Sequence, residues 1–303
     1  MIFRFRLSSL LLSGAACFGF LFSVSDANAV FDKRFDIVTF CCPCQPDDHL
    51  CQPQFDHLNW VSTNGHMICM GTDTHRSEVN ANGNFLGAYI NDLNTGYGSI
   101  TGTQRADQIQ QSLVSNFTNT GVITKWVILN EISAGLWPDT QAYRTWVTDV
   151  VKTLKNTYNH EVIVCSPFAN PGQNNTDWQA VSSYAYIGVE CYLSGQEINA
   201  HSNSVSWCQT QYQNSKNSYL ARGVPSSQIY LVEHFGQTVT DTGWGRSGCS
   251  YAGWDNAINA RSTAAHNVGF AGFVTFAWSK NAMLVSDTDL LHFEDTYRAK
   301  ILP

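Results

Sequence analysis

The sequence predicts an α/β protein, a (β/α)8 TIM barrel, on three observations. Short apolar runs alternate with amphipathic helical patterns from about residue 104 to the C-terminus. Those runs are apolar throughout rather than at every second position, as expected of parallel strands covered by helices. Counting one weak candidate, eight strands fit into about 270 residues, the size and order of elements of such a barrel. A doubly wound open sheet is the alternative, but no glycine-rich nucleotide fingerprint follows "DIVTF".

Residues 1–29 stand apart. "MIFRFR" is a basic start, "LSSLLLSGAACFGFLFSV" an apolar middle and Ala27-Asn28-Ala29 a small-x-small site. Together they read as a secretory signal peptide, leaving one domain, 30–303, that meets no membrane after cleavage. The whole chain carries 17 basic and 24 acidic residues; losing Arg4, Arg6 and Asp26 with the leader leaves a charge of −8. An acidic chain without basic runs argues against a nucleic-acid partner and for a neutral or cationic substrate. With 44% hydrophobic and 14% charged residues, the chain has material for a large core.

In chain order, "FDIVTFCC" and "HMICMGTD" are strands with "FDHLNWVSTNG" a helix between them, and "GNFLGAYINDLNTGYGSI" holds the weak third strand. "RADQIQQSLVSNFTNTG" sets Ile109, Leu113 and Phe117 on one helix face and stops at Gly121. "KWVILNE" is a buried strand. Asp139 is expected to cap the next helix, 140–159, whose Tyr143, Trp146, Val147, Val150, Val151 and Leu154 keep three-and-four spacing up to Asn159. The unit then repeats as strand "HEVIVCSPF" and helix "NTDWQAVSSYA", strand "YIGVECYLSG" and helix "WCQTQYQNSKNSYLARG", and strand "IYLVEHFG" and helix "AGWDNAINARSTAAHNVG". "FAGFVTFAW" and "DLLHFEDTYRAKI" close the series.

Nine cysteines remain after the leader, an odd number, so at least one thiol is free. Cys165 and Cys191 lie in apolar strands and read as buried. "CCPCQPDDHLC" (Cys41 to Cys51) lacks two spaced CxxC pairs and reads as a disulfide-stapled loop in preference to a zinc site. Cys208 and Cys249 are candidates to pair with each other. Asn116 and Asn174 begin glycosylation sequons, relevant if the host glycosylates exported proteins.

Function is legible at the strand ends. A barrel builds its catalytic face there, and this chain ends its apolar strands on Asn130 and Glu131, on Glu190 and Tyr192, on Glu233 and His234, and on Trp278. Isolated carboxylates are costly to bury; any one of them could cap the following helix or pair with an arginine, but their gathering at equivalent positions points to chemistry. Two facing carboxyl groups are what glycosidic-bond hydrolysis needs, one to protonate the leaving oxygen and one to attack or to activate water. No metal or organic cofactor is required.

In these strand ends the chain resembles clan A of the glycoside hydrolases, (β/α)8 enzymes that retain anomeric configuration. The resemblance covers 104–303 well and the first third poorly. It implies that Glu131 of "WVILNE" is the acid/base, that Glu233 of "IYLVE" is the nucleophile, and that their carboxyl groups lie about 5–5.5 Å apart. It further implies that Tyr192 hydrogen-bonds the nucleophile, that Asn130 contacts a sugar hydroxyl and that Trp278 is a sugar platform. His75 and Arg76 of "GTDTHR" would fill the earlier strand-end positions. Glu190 departs from the clan's pattern; it shares a face with Tyr192 and reads as pocket floor, as a partner of Arg76, as a group that tunes the other carboxylates, or as packing. Trp137 and Trp244, in loops after strands, are candidate sugar subsites or core covers. Trp126 and Trp146 read as core.

The expected activity is therefore that of a secreted, monomeric β-glycan hydrolase using two glutamates in double displacement. Two alternatives differ in class: a carbohydrate-binding barrel that has lost catalysis, and a metal-dependent hydrolase built on Asp73 and His75.

Overall fold

The computed structural model describes residues 36–39, 67–70, 85–90, 92–117, 125–168, 170–172, 174–234, 249–276, 296, 300 and 301, all within one unit, 31–303. Eight strands run in chain order: β1 (Asp36–Thr39), β2 (Met67–Met70), β3 (Phe85–Ile90), β4 (Trp126–Leu129), β5 (Glu161–Ser166), β6 (Tyr186–Glu190), β7 (Ile229–His234) and β8 (Gly272–Phe276). Each pairs in parallel with the next, and Asp36↔Val274 and Ile37↔Thr275 pair β1 with β8, closing the sheet. No reversal point interrupts this order, so the doubly wound alternative is excluded. The weak third strand is real: "FLGAYI" pairs with both neighbours.

The described helices are α1 (Gly102–Phe117), α2 (Gln141–Asn156), α3 (Asn175–Ser182), α4 (Gly195–Ala200), α5 (Val205–Leu220) and α6 (Tyr251–Val268). The helix expected at 55–65, and that at 289–301 except for residues 296, 300 and 301, lie outside the described residues. None of the described helices is long and apolar enough to cross a membrane. The stripe predicted for 140–159 is the buried face of α2, where Val147, Val150, Val151 and Leu154 are fully covered. Each such side chain contributes about 1.5–3 kcal/mol on burial. Gly102 is required where α1 meets α2, because a Cβ there would lie 2.4 Å from the Trp146 carbonyl oxygen.

Strand alternation sorts the core into two layers. Tyr89, Trp126, Ile128, Ile163, Cys165, Tyr186, Tyr230, Val232 and Val274 form one cluster inside the sheet. Val127, Leu129, Val162, Val164, Ile187, Val189, Ile229, Leu231 and Phe273 belong to the larger cluster shared with the helices. Trp126 stacks on Tyr186 at 5.7 Å, which bears out its reading as core. Gly188 faces this aromatic interior, where a Cβ would come within 2.8 Å of Val232.

Three local expectations are corrected. Thr140, not Asp139, is the N-cap of α2, with no side-chain cap bond. The helix α4 was not anticipated; its six residues are too few for a periodic stripe, but Ser194 and Glu197 form a capping box at its start. Cys208 and Cys249 are not joined to each other: both are buried, as are Cys165 and Cys191, and Asn199 donates to the Cys249 sulfur at 3.1 Å. The cluster from Cys41 to Cys51 lies outside the described residues.

Candidate active site

The apolar bodies of β4 and β6 deliver two carboxyl groups to the C-terminal end of the sheet. On β6, Tyr186 and Gly188 face inward, so Glu190 and then Tyr192 do as well. Glu190 is 7% exposed, and its Oε1 has no hydrogen-bond partner. Its side chain lies within hydrogen-bonding reach of Tyr192 and of Glu131. Burial, reinforced by the negative charge of Glu131, pushes its pKa up to about 8. A neutral carboxylic acid is thus held at a strand end at neutral pH, the condition a general acid needs.

Glu131 is the exposed member of the pair. Its backbone has φ +32°, a conformation that costs a non-glycine residue about 1–3 kcal/mol. Several contacts hold it there. Asn94 Nδ2 donates to the Glu131 carbonyl at 3.1 Å, and Asn94 Oδ1 accepts from the Tyr143 hydroxyl. The same hydroxyl accepts from the Ser133 N–H at 2.8 Å, and the Ile132 N–H reaches the Cys165 carbonyl at 3.0 Å. Asn130, on the inward face beside Ile128, is tied to the β3 end through Asn130 N–H to the Ile90 carbonyl and Leu93 N–H to its own.

Around the pair the pocket wall is phenolic. Burial first, and the nearby Glu190, Cys165 and Glu131 after it, push the Tyr192 pKa well above its ordinary value, and burial does the same for Tyr89. Both phenols therefore stay protonated. Tyr192 makes an edge contact with the His234 ring at 5.5 Å, joining the end of β7 to the site.

Glu233 is not part of this pocket, which overturns its expected pairing with Glu131. Tyr230 and Val232 face inward on β7, so Glu233 faces the helices, where it is fully buried. Tyr212 of α5 donates to its Oε1, and the Arg261 guanidinium of α6 lies 3.4 Å from Oε2. Burial raises its pKa, opposed by Arg261 and by the Tyr212 hydrogen bond. Arg261 also donates to the carbonyls of Leu193 and His234 and packs over Trp254 at 4.7 Å. This network pins the ends of β6 and β7 to α6. The Tyr192 partner that the structure shows is Glu190.

Trp137 is also reassigned. It is fully buried, 4.4 Å from Trp178, and covers the core. Trp146 is core as expected, its indole N–H donating to the Ile100 carbonyl at 3.0 Å. Asp73, His75, Arg76, Trp244 and Trp278 lie outside the described residues. Among the described residues no group of three or more His, Cys, Asp or Glu could hold a metal ion. Of the roles the sequence left open for Glu190, the one beside another carboxylate is the one the structure places, with Glu131 as the partner; the shared parity of Glu190 and Tyr192 was its signal.

No family model matches the chain, and no curated protein does. Solved structures do. A GH5-4 broad specificity endoglucanase from an uncultured bacterium matches with a TM-score of 0.52 at 9% identity, over 89% of this chain and 95% of that one. The spore cortex-lytic enzyme SleL of Bacillus megaterium matches at 0.52 with 10% identity, over 87% of this chain and 74% of its own. A chitinase of Chromobacterium violaceum matches at 0.51 with 9% identity, over 88% and 99%. At these identities the likeness is one of fold: the chain shares the parallel α/β architecture of these enzymes.

Proposed function

We propose that the protein is an exported glycoside hydrolase on a complete (β/α)8 barrel, a monomer that cleaves a neutral β-linked glycan. The observation that carries this reading is the contact of buried, protonated Glu190 with exposed Glu131 at the strand ends. Two like-charged carboxylates in contact resist joint ionisation, so the pair keeps one proton across neutral pH. Glu190 passes that proton to Glu131, which on the open side hands it to the glycosidic oxygen as the C–O bond breaks; the pair is then doubly ionised until the water that completes hydrolysis returns a proton to it. Two carboxyl groups in contact are closer than the about 5–5.5 Å of a retaining pair, so they act as one proton donor. The attack on the anomeric carbon then comes from a substrate group, such as a 2-acetamido oxygen, or from a residue outside the pair. Asn130 is proposed to contact a sugar hydroxyl, and Trp278, Trp244, His75 and Arg76 remain proposed substrate contacts.

The test is release of reducing sugar from β-glucan, chitin, mannan, xylan and galactan by the purified protein and by Glu190→Gln. The reading expects release from at least one glycan, lost in the variant. Release that persists in Glu190→Gln would overturn the role of the pair. The closeness of the two carboxyls also favours one other reading, a carbohydrate-binding barrel without turnover. Binding with no release from any glycan would select it.

A further inference from the structure

A cavity of about 530 Å³ opens beside Glu190 and Tyr192 and runs outward over the rim of the sheet, between the segment after β5 and the helix α5. Its volume is in the range of small-ligand sites. Beyond Glu190 and Tyr192, the polar side chains that line it are Asn170, Gln211, Asn214, Ser215 and Ser218, all uncharged. A second depression, of about 330 Å³, continues along α5 and shares Asn214 with the first, adding Thr210 and Gln213. Trp207, Thr210, Gln211, Asn214 and Ser218 fall on one stripe of α5 by three-and-four spacing.

The chemistry of this stripe is selective. One charged residue in a 16-residue helix is not unusual for this chain, but its placement matters. Lys216 is buried, and its ammonium donates to the carbonyls of Val268 and Gly269 at 3.2 and 2.6 Å. The exposed and half-exposed polar groups of the stripe are therefore amides and hydroxyls, which both donate and accept. Among the described residues that line the two depressions there is no cation to hold a polyanion. Beyond the cavity, Arg222 links the segment after β5 to α5, donating to the Gly172 carbonyl and to the Ser218 carbonyl at 3.4 Å.

We propose that this groove is a subsite for a neutral oligosaccharide, carrying the chain away from the Glu190–Glu131 pair along α5 and off the barrel axis. The proposal rests on the hydrolase reading for its choice of ligand, and its test separates the two. Cellohexaose, chitohexaose and mannohexaose, with their disaccharides, are titrated calorimetrically into Glu131→Gln and into the same protein carrying Gln211→Ala and Asn214→Ala. Each lost hydrogen bond is expected to weaken binding about fivefold, so the hexasaccharide that binds should lose roughly tenfold or more in affinity. Its disaccharide should change less than twofold, with unchanged thermal unfolding as the control for folding.

Equal weakening of both lengths, no weakening, or no binding of any hexasaccharide overturns the subsite. Binding that depends on Gln211 and Asn214 in a protein whose wild type releases no sugar supports the subsite and removes the hydrolase reading. Hydrolysis by the wild type with unaltered binding in the Ala variants does the reverse.

Discussion

The carboxyl group of Glu190, at the end of β6, meets that of Glu131, two residues past β4, within hydrogen-bonding reach, and the buried member holds the proton. The pair joins a rigid, dry donor to an exposed partner whose backbone is strained. Four predictions follow from its geometry and its supports.

Activity should fall as pH rises through about 8, where Glu190 loses its proton. Glu131→Gln removes the Glu131 charge, the second-largest cause that raises this pKa, but leaves burial, the largest, in place. Carbon-13 NMR of labelled glutamate should therefore show Glu190 titrating lower in that variant than in the wild type, yet still above 4.5. An unshifted titration would show that the two carboxyls do not interact.

The same shift affects stability. Glu190 binds its proton more tightly folded than unfolded, so its contribution is full below its ordinary pKa of 4.5 and is lost as pH rises to about 8. The loss is on the order of 3–5 kcal/mol. Glu190→Gln has no charge to bury, so its thermal midpoint should exceed that of the wild type at pH 8 and approach it at pH 4.5. A variant less stable than the wild type at pH 8 would contradict the assignment.

Asn94 and Tyr143 hold Glu131 in its positive-φ conformation. Asn94→Ala should lower kcat about tenfold, with a smaller change in KM, and cost about 1–2 kcal/mol of stability in chemical denaturation. Loss of stability with kcat unchanged would assign Asn94 to the scaffold alone.

Glu233 and Arg261 form a fully buried ion pair between β7 and α6. Arg261→Ala strands the Glu233 carboxylate and should cost about 3–5 kcal/mol, whereas replacing both residues with methionine should recover much of that loss. Denaturant midpoints of the two variants check this. Equal loss in both would contradict the pairing.

Much of the fold was legible because both faces of its strands are buried and read as continuous apolar runs. "VILN", "VIVCS" and "YLVE" needed no other signal. The same property hid the site. When both faces of a strand are apolar, hydropathy does not show which way its last residue points. Glu233 therefore read as pocket-facing, although Tyr230 and Val232 occupy the inward positions of its strand. For Glu190 a polar neighbour of like parity, Tyr192, supplied the missing direction. Trp137 read as a loop aromatic because its burial depends on Trp178, 41 positions away and reached only through the tertiary fold. The contact that joins Glu190 to Glu131 is likewise set by neighbouring ends across the sheet, not by spacing in the chain.

The comparison that bears most directly on the Glu190–Glu131 pair is kcat/KM for the hydrolysed glycan in Glu190→Gln and Glu233→Gln, each measured per folded molecule near pH 6. The pair predicts a loss of about 10²–10⁴-fold in Glu190→Gln and of less than tenfold in Glu233→Gln. The opposite order, an inactive Glu233→Gln rescued by azide beside an active Glu190→Gln, would restore Glu233 as nucleophile and contradict the account.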